Sequence, residues 1–202
     1  MTTELHKHPP DHENKRRLRA VSPLGRGDKL HRIVWGLVHV TLYRWSPTPL
    51  HGWRCILLRA FGARIEGPAY VYPTARVWAP WRLDMAKGSC LGPDVNCYNV
   101  GGISLGPGAT VSQNSHLCGA SHDHRDASFP LVVGKIVIGR NAWVAADAFV
   151  GPGVWIGEDA VVGARAVVVK DVPAGMIVVG NPARVVGSRS TQASPTQSNL
   201  KQ

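Results

Sequence analysis

The chain has 202 residues, with 23 Lys and Arg, 13 Asp and Glu, nine His and four Cys. That length supports one solid core, and Cys55, Cys90, Cys97 and Cys118 make neither a CxxC pair nor the framework of a disulfide-stapled domain, so reduced thiols in a cytoplasmic protein are expected. The formal charge of +10 is peripheral: residues 1–64 hold 12 Lys/Arg against 4 Asp/Glu, residues 65–186 hold 9 of each, and 187–202 hold 2 against none.

Residues 1–29 are polar and charged and read as a basic, disordered arm with no secretory signal. Such a surplus suits anionic lipid or another polyanion. No glycine-rich phosphate loop or regular basic and aromatic interleaving accompanies it, so no nucleic-acid partner is expected. Residues 30–64 read as a helical cap. Leu30, Ile33, Val34, Leu37, Val38, Thr41 and Trp45 follow the i, i+3, i+4 spacing of an amphipathic helix, and Ser46-Pro47-Thr48-Pro49 stops it. Thr48 suits an N-cap with Pro49 at the first helical position, opening a second helix through Trp53, Ile56, Leu57 and Ala60 that ends near Gly62. The first helix is too short to cross a bilayer, which takes about 20 apolar residues. Its apolar groups are therefore predicted to close the open end of the domain that begins at residue 65, or to face a membrane surface or partner.

From residue 65 the period changes. Val71, Val77 and Leu83, then Leu105, Val111 and Leu117, then Ile138, Val144, Val150, Ile156, Val162 and Val168 return an aliphatic residue every six positions. A helix repeats near 3.6 and a simple strand at 2, so a sustained six predicts an all-β solenoid over 65–186, three short flats to a coil. The aliphatic residue points inward, and the small residue after it lets the chain turn a corner where a Cβ would crowd or a positive φ is needed. Register breaks are expected across Gly88 to Gly102 and across Cys118 to Val137, where the coil bulges or extrudes a loop. Residues 187–202, rich in Ser, Thr, Gln and Asn, read as a disordered tail.

Chemistry is expected at the second break, loop 118–137, because loops extruded from a rigid scaffold carry function. The run Gly119 to Asp126 is the densest group of ionisable residues in the neutral body. Its His122 belongs to the residue type that can take a proton from a hydroxyl and return it to a leaving group near neutral pH.

Several motifs then resemble a known family. Ser121-His122-Asp123, Phe129-Pro130, Ile136-Val137-Ile138-Gly139, Asn141-Ala142-Trp143-Val144, Val169-Lys170-Asp171-Val172-Pro173 and Gly180-Asn181-Pro182-Ala183-Arg184-Val185 resemble the hexapeptide-repeat acyltransferases over nearly all of 65–186. Leu42 to Pro47, Gly52-Trp53-Arg54, Leu57 to Ala63 and Tyr72-Pro73 resemble the colanic acid acetyltransferase branch, which works on exopolysaccharide precursors. The resemblance implies a left-handed parallel β-helix, a homotrimer with sites between neighbouring coils, acetyl-CoA as co-substrate, no metal, and a sugar or lipid-linked glycan acceptor. It implies His122 as general base, with a backbone N–H near Ala145 or Ala146 for the oxyanion. Trp143, Ala145, Ala146, Gly163, Ala164, Lys170 and Arg184 match its CoA-binding positions, and Asn96 and Asn99 its acceptor-binding region. The basic, partly apolar N-terminus is compatible with the cytoplasmic face of a membrane.

Two other uses of the coil compete. A zinc hydratase of the carbonic anhydrase type could draw ligands from His116, Cys118, His122 and His124, though the spacing departs from that family's and leaves the match at Trp143 and 180–185 unexplained. A non-catalytic scaffold could use the solenoid as a ruler and the basic arm as its contact.

Overall fold

The computed structural model describes residues 19–20 and 26–189, so the expected disorder of the rest of the basic arm and of 190–202 lies outside the described residues. The body is a parallel β-solenoid of about six turns, preceded by a short helical segment. Its three sheets stack corresponding strands in register. The first sheet aligns Ile65, Met85, Leu105, Ile138 and Ile156. The second aligns Val71, Leu91, Val111, Val144, Val162 and Val178. The third aligns Val77, Cys97, Leu117, Val150 and Val168. All of these side chains are buried and form one continuous core, so no single coil needs a core of its own.

This register narrows the predicted break at 88–102 to its end, after Cys97. Leu91 and Cys97 lie on the beat, six and twelve residues after Met85. The slips fall at the edge between the third and first sheets, where Pro80–Arg82 forms a 3₁₀ turn after Val77 and Val100 to Gly102 follow Cys97. There the strands Leu83–Met85, Ile103–Leu105 and Ile136–Ile138 bury two residues each.

Of the two reasons for a small residue after the aliphatic, crowding holds and positive φ falls elsewhere. A second six-residue beat carries the positive φ: Asn141, Asp147, Gly153, Asp159 and Arg165, at 50°, 58°, 76°, 56° and 60°. Asn, Asp and Gly are the residues that adopt this region most easily. The glycine after the inward aliphatic serves close approach, since a Cβ on Gly139 would lie 2.7 Å from the Glu158 nitrogen of the next coil.

The cap begins earlier than residue 30. Helix α1 spans Arg26–Val38 and continues as one wide turn, His39–Tyr43; helix α2 spans His51–Ala60. The predicted apolar stripe of α1 points away from the coil: Leu30, Ile33, Val34 and Leu37 are exposed, while Trp35 and Tyr43 are buried. In α2 the buried side is Arg54, Cys55, Leu57 and Leu58, and Trp53, Ile56 and Ala60 are exposed. Leu50, without a side-chain cap, takes the N-cap position instead of Thr48. The reason is Arg54. Its guanidinium is fully buried and donates to the Val71 carbonyl (2.5 Å), the Ser46 hydroxyl (2.7 Å), the Pro47 carbonyl (2.9 Å) and the Thr48 carbonyl. Residues 46–48 are thus pulled onto the side chain as a turn and bolted to the first coil. At the other end, residues 187 and 188 belong to strand Arg184–Ser188, which pairs antiparallel with Met176–Val179.

Arg54→Leu strands those carbonyls without donors and is expected to lower stability by about 3 kcal/mol in urea unfolding. Arg54→Lys recovers only a small part of it, because one ammonium cannot reproduce the fork.

Candidate active site

After Leu117 the chain leaves the coil and returns at Ile136, and the excursion is an ordered hairpin. Strand Ala120–His122 pairs antiparallel with Leu131–Val133, aligning His122 with Leu131, and Arg19–Ala20 pairs along the far side of 132–133. His122 ends the outgoing strand with its ring exposed, stacked on Phe129 at 4.6 Å and 6° between planes. Its Nδ1 lies 2.9 Å from the Phe129 carbonyl oxygen. A carbonyl only accepts, so Nδ1 carries a proton, and in the neutral ring the lone pair falls on Nε2. Phe129 holds that carbonyl in place from a left-handed φ of 47°, with its own N–H on Asp126 O at 2.9 Å. A bulky residue in that region signals local constraint of the kind found at functional sites. Asp123 does not orient the histidine; its carboxylate accepts the Arg125 N–H at 3.0 Å. The resemblance identified His122 but not Phe129 as its partner. The signal was a Phe before Pro at the hairpin's turn.

The other predicted residues fall at separate places on the prism. Trp143 stands on the outer side of the second sheet, 46 % exposed, its Nε1 donating to Ser112 Oγ at 2.9 Å. That sheet lies opposite the edge from which His122 projects, because the chain visits the sheets in the order first, second, third. Ala145–Ala146 and Gly163–Ala164 stack in successive coils at the corner after the second sheet, joined by Ala145 N–H to Val162 O at 2.9 Å and Arg165 N–H to Ala146 O at 2.9 Å. Of the two oxyanion candidates, Ala145 N–H is therefore engaged in the ladder, and Ala146 N–H meets no acceptor among the described residues. Gly163 also has an architectural duty, since a Cβ there would lie 2.6 Å from Val179 Cγ1. Lys170 and Arg184 are both exposed. One chain thus does not gather the predicted base and the predicted CoA contacts into a single pocket.

Asn99 is corrected. It is fully buried, accepting the Ala79 N–H at 2.9 Å and donating to the Ala79 carbonyl at 2.7 Å, so it brackets two consecutive coils and has no reach to an acceptor. Asn96 differs: it opens into a cleft of about 750 Å³ between α1 and the outer side of the third sheet. Lys29, Arg32, Arg76, Trp78 and Tyr98 also line it, with no carboxylate among the lining residues. Trp78 and Tyr98 meet edge to face at 5.2 Å, and the Arg32 guanidinium sits 5.1 Å over the Trp78 ring. His39 in the wall is held below its ordinary pKa by burial, opposed by its bond to the Ala75 carbonyl and aided by the charges of Arg44 and Arg76. Sequence reasoning missed this cleft, although residues 76/96 and 78/98 recur one coil apart.

The zinc ligand set is not assembled. His116 packs edge to face on Phe149 at 5.5 Å, Cys118 donates to the Ala120 carbonyl at 3.1 Å, and burial pushes the Cys118 thiol up. Among the described residues no three of His, Cys, Asp and Glu come together as metal ligands would.

A family model described as bacterial transferase hexapeptide (six repeats) matches residues 135–170. The chain is 42% identical over 163 residues to the Escherichia coli (strain K12) protein named "Putative colanic acid biosynthesis acetyltransferase WcaF", covering 81% of this chain and 90% of that one. Among solved structures, a maltose O-acetyltransferase from Clostridium difficile 630 superposes with a TM-score of 0.72 at 23% identity, over 82% of this chain and 90% of that one. A hexapeptide-repeat acetyltransferase of Vibrio cholerae O1 biovar eltor, complexed with acetyl coenzyme A, gives 0.66 at 21%, over 84% and 92%.

Asn99→Ala leaves both Ala79 groups unpaired in the interior and is expected to lower stability by about 2 kcal/mol. Its Michaelis constant for the acceptor stays unchanged in steady-state assays of the folded variant.

Proposed function

The chain belongs to the bacterial hexapeptide-repeat acetyltransferases, and from that premise we propose that it moves the acetyl group of acetyl-CoA onto a sugar hydroxyl of an exopolysaccharide precursor. The observation that carries the chemistry is the clamp on His122, whose Nδ1 proton is tied to the Phe129 carbonyl. Nε2 takes the hydroxyl proton as the sugar oxygen bonds to the thioester carbonyl carbon, whose π electrons move to its oxygen. Ala146 N–H is the donor suited to that oxyanion. When the carbonyl reforms, the C–S bond breaks, the CoA sulfur takes the proton from the imidazolium, and the products are the acetate ester and free CoA. No covalent acyl-enzyme is needed.

The donor runs along the corner of Ala145, Ala146, Gly163 and Ala164, where short side chains let the thin pantetheine arm approach the backbone. Lys170 and Arg184 meet the CoA phosphates, and Trp143 packs beside the groove. Because Trp143 lies opposite the His122 edge, the complete site draws His122 from one copy and the donor wall from its neighbour, in keeping with a homotrimer. The acceptor enters the cleft at Asn96. Trp78 and Tyr98 offer flat surfaces to sugar rings, and Lys29 and Arg76, with no ion pair among the described residues, suit a phosphate-bearing sugar. The name of the Escherichia coli relative supports an exopolysaccharide acceptor.

His122→Ala is expected to lower turnover by roughly 10²–10⁴ while acetyl-CoA binding persists. Thiol release from acetyl-CoA in the presence of sugar phosphates reads it, and turnover near that of the unaltered chain removes the assignment. Mixing chains carrying His122→Ala with chains carrying Trp143→Ala, each weak alone, should restore part of the activity in mixed oligomers. No recovery after subunit exchange places both groups in one chain's site instead.

A further inference from the structure

Helix α1 turns its amphipathic pattern inside out. It meets the coil through polar and aromatic groups: Asp28 pairs with Arg82 at 3.6 Å, His31 stacks on Trp81 at 4.9 Å, and Trp35 Nε1 donates to the Val77 carbonyl at 2.7 Å. The aliphatic stripe faces outward, with Leu30, Ile33 and Leu37 63, 69 and 64 % exposed and Trp45 beyond them 79 % exposed. Helix α2 extends the same surface with exposed Trp53 and Ile56, and Trp53 Nε1 donates to the Leu42 carbonyl at 3.1 Å, tying the two outer faces together. A contiguous apolar surface of this kind marks an interaction site, and nothing in the coil covers it.

Charge decides what covers it. Residues 26–64 contain seven Lys/Arg and one acidic residue, Asp28. That carboxylate is turned inward, bonded to Arg32 at 3.1 Å as well as to Arg82. Lys29 and Arg44 are exposed and carry no ion pair among the described residues. Two copies meeting through this face would set cations against cations around the apolar stripe, which opposes self-association. An anionic lipid surface matches both features at once. From Arg26 to Tyr43 the helical segment is about 27 Å long, and no helix among the described residues is long and apolar enough to cross a membrane.

We propose that the outer face of α1 and α2 seats the protein on an anionic phospholipid surface. The helices lie in the plane of the interface, with Leu30, Leu37 and Trp45 at the acyl boundary and Lys29 and Arg44 among the headgroup phosphates. The test does not touch the proposed acetyl-transfer site, because Leu30, Leu37, Trp45 and Arg44 are absent from the lining of the acceptor cleft; Lys29 alone of the five is shared with it. Exposed Ile33 and Val40, which line the cleft, place its mouth beside the seated face.

Flotation of the full chain with phosphatidylcholine vesicles containing about one third phosphatidylglycerol tests it, alongside phosphatidylcholine alone. Partitioning should be at least about tenfold stronger on the anionic vesicles and weaken at high salt. The triple variant Leu30→Gln, Leu37→Gln, Trp45→Gln should lose at least about tenfold on the same vesicles. Its circular dichroism, its mass by light scattering and its thiol release with a soluble acceptor should match the unaltered chain. Absence of flotation on anionic vesicles overturns the proposal, as does a variant that floats equally well. A variant that keeps flotation but changes oligomeric mass overturns it in favour of a second copy on this face.

Discussion

The molecule depends on one constraint, the registered stacking of an inward side chain on its counterpart in the next coil. Val144 sits between Val111 and Val162, and Val150 between Leu117 and Val168. A one-residue slip inside a strand would turn the buried side chain outward and break the ladder above and below it. Additional residues can therefore leave the coil only at corners. All three excursions use the same edge, between the third and first sheets: after Val77, after Cys97 and after Leu117. The wall formed from Ile138 to Val168 has none, which leaves an even corner of small residues.

Much of this is legible from periodicity, because the packing that produces the six-residue beat acts on every coil alike. Leu91 and Cys97 fall inside the predicted break because a count of six from Leu83 misses both. Each slip is only two residues, and the three-residue strands Leu83–Met85 and Ile103–Leu105 absorb it by burying both ends. The cap departs from its pattern for a different reason. Amphipathic spacing reveals that a helix has two faces and says nothing of which one meets the protein. In α1 hydrogen bonds and ring contacts from Trp35, His39 and His31 outcompete the aliphatic stripe. In α2 a buried, fully bonded Arg54 takes a place that composition assigns to a hydrophobe.

The site is legible as residue types and not as an assembly. His122 stands in a motif, but the group that selects its tautomer is a backbone carbonyl seven residues away, and a carbonyl leaves no mark in the sequence. Asn96 and Asn99 look alike in a string, yet the three-residue strand Asn96–Tyr98 keeps one on the outer surface and drops the other into the corner beside Ala79. Trp143 and His122 are separated by the geometry of a triangular prism, which no spacing rule along one chain expresses.

That shared edge also explains how an exposed hairpin can hold the proposed base in place. Each excursion supports the next. Asn99 clamps the second to the first through Ala79, and Arg82 reaches from the first to the Val100 carbonyl at 2.6 Å. The hairpin then rises from the second: Gly119 N–H donates to the Tyr98 carbonyl at 2.8 Å, and a Cβ on Gly101 would lie 2.7 Å from the carbonyl carbon of Gly134, so the returning strand passes directly over a residue that must lack a side chain. Gly134 N–H closes the base onto Gly119 O at 3.1 Å. A general base needs its nitrogen held to within about half an ångström of the productive position. For the proposed His122 that support comes from two short insertions stacked beneath the third, so the buried Asn99 is part of what keeps the outer hairpin where it is.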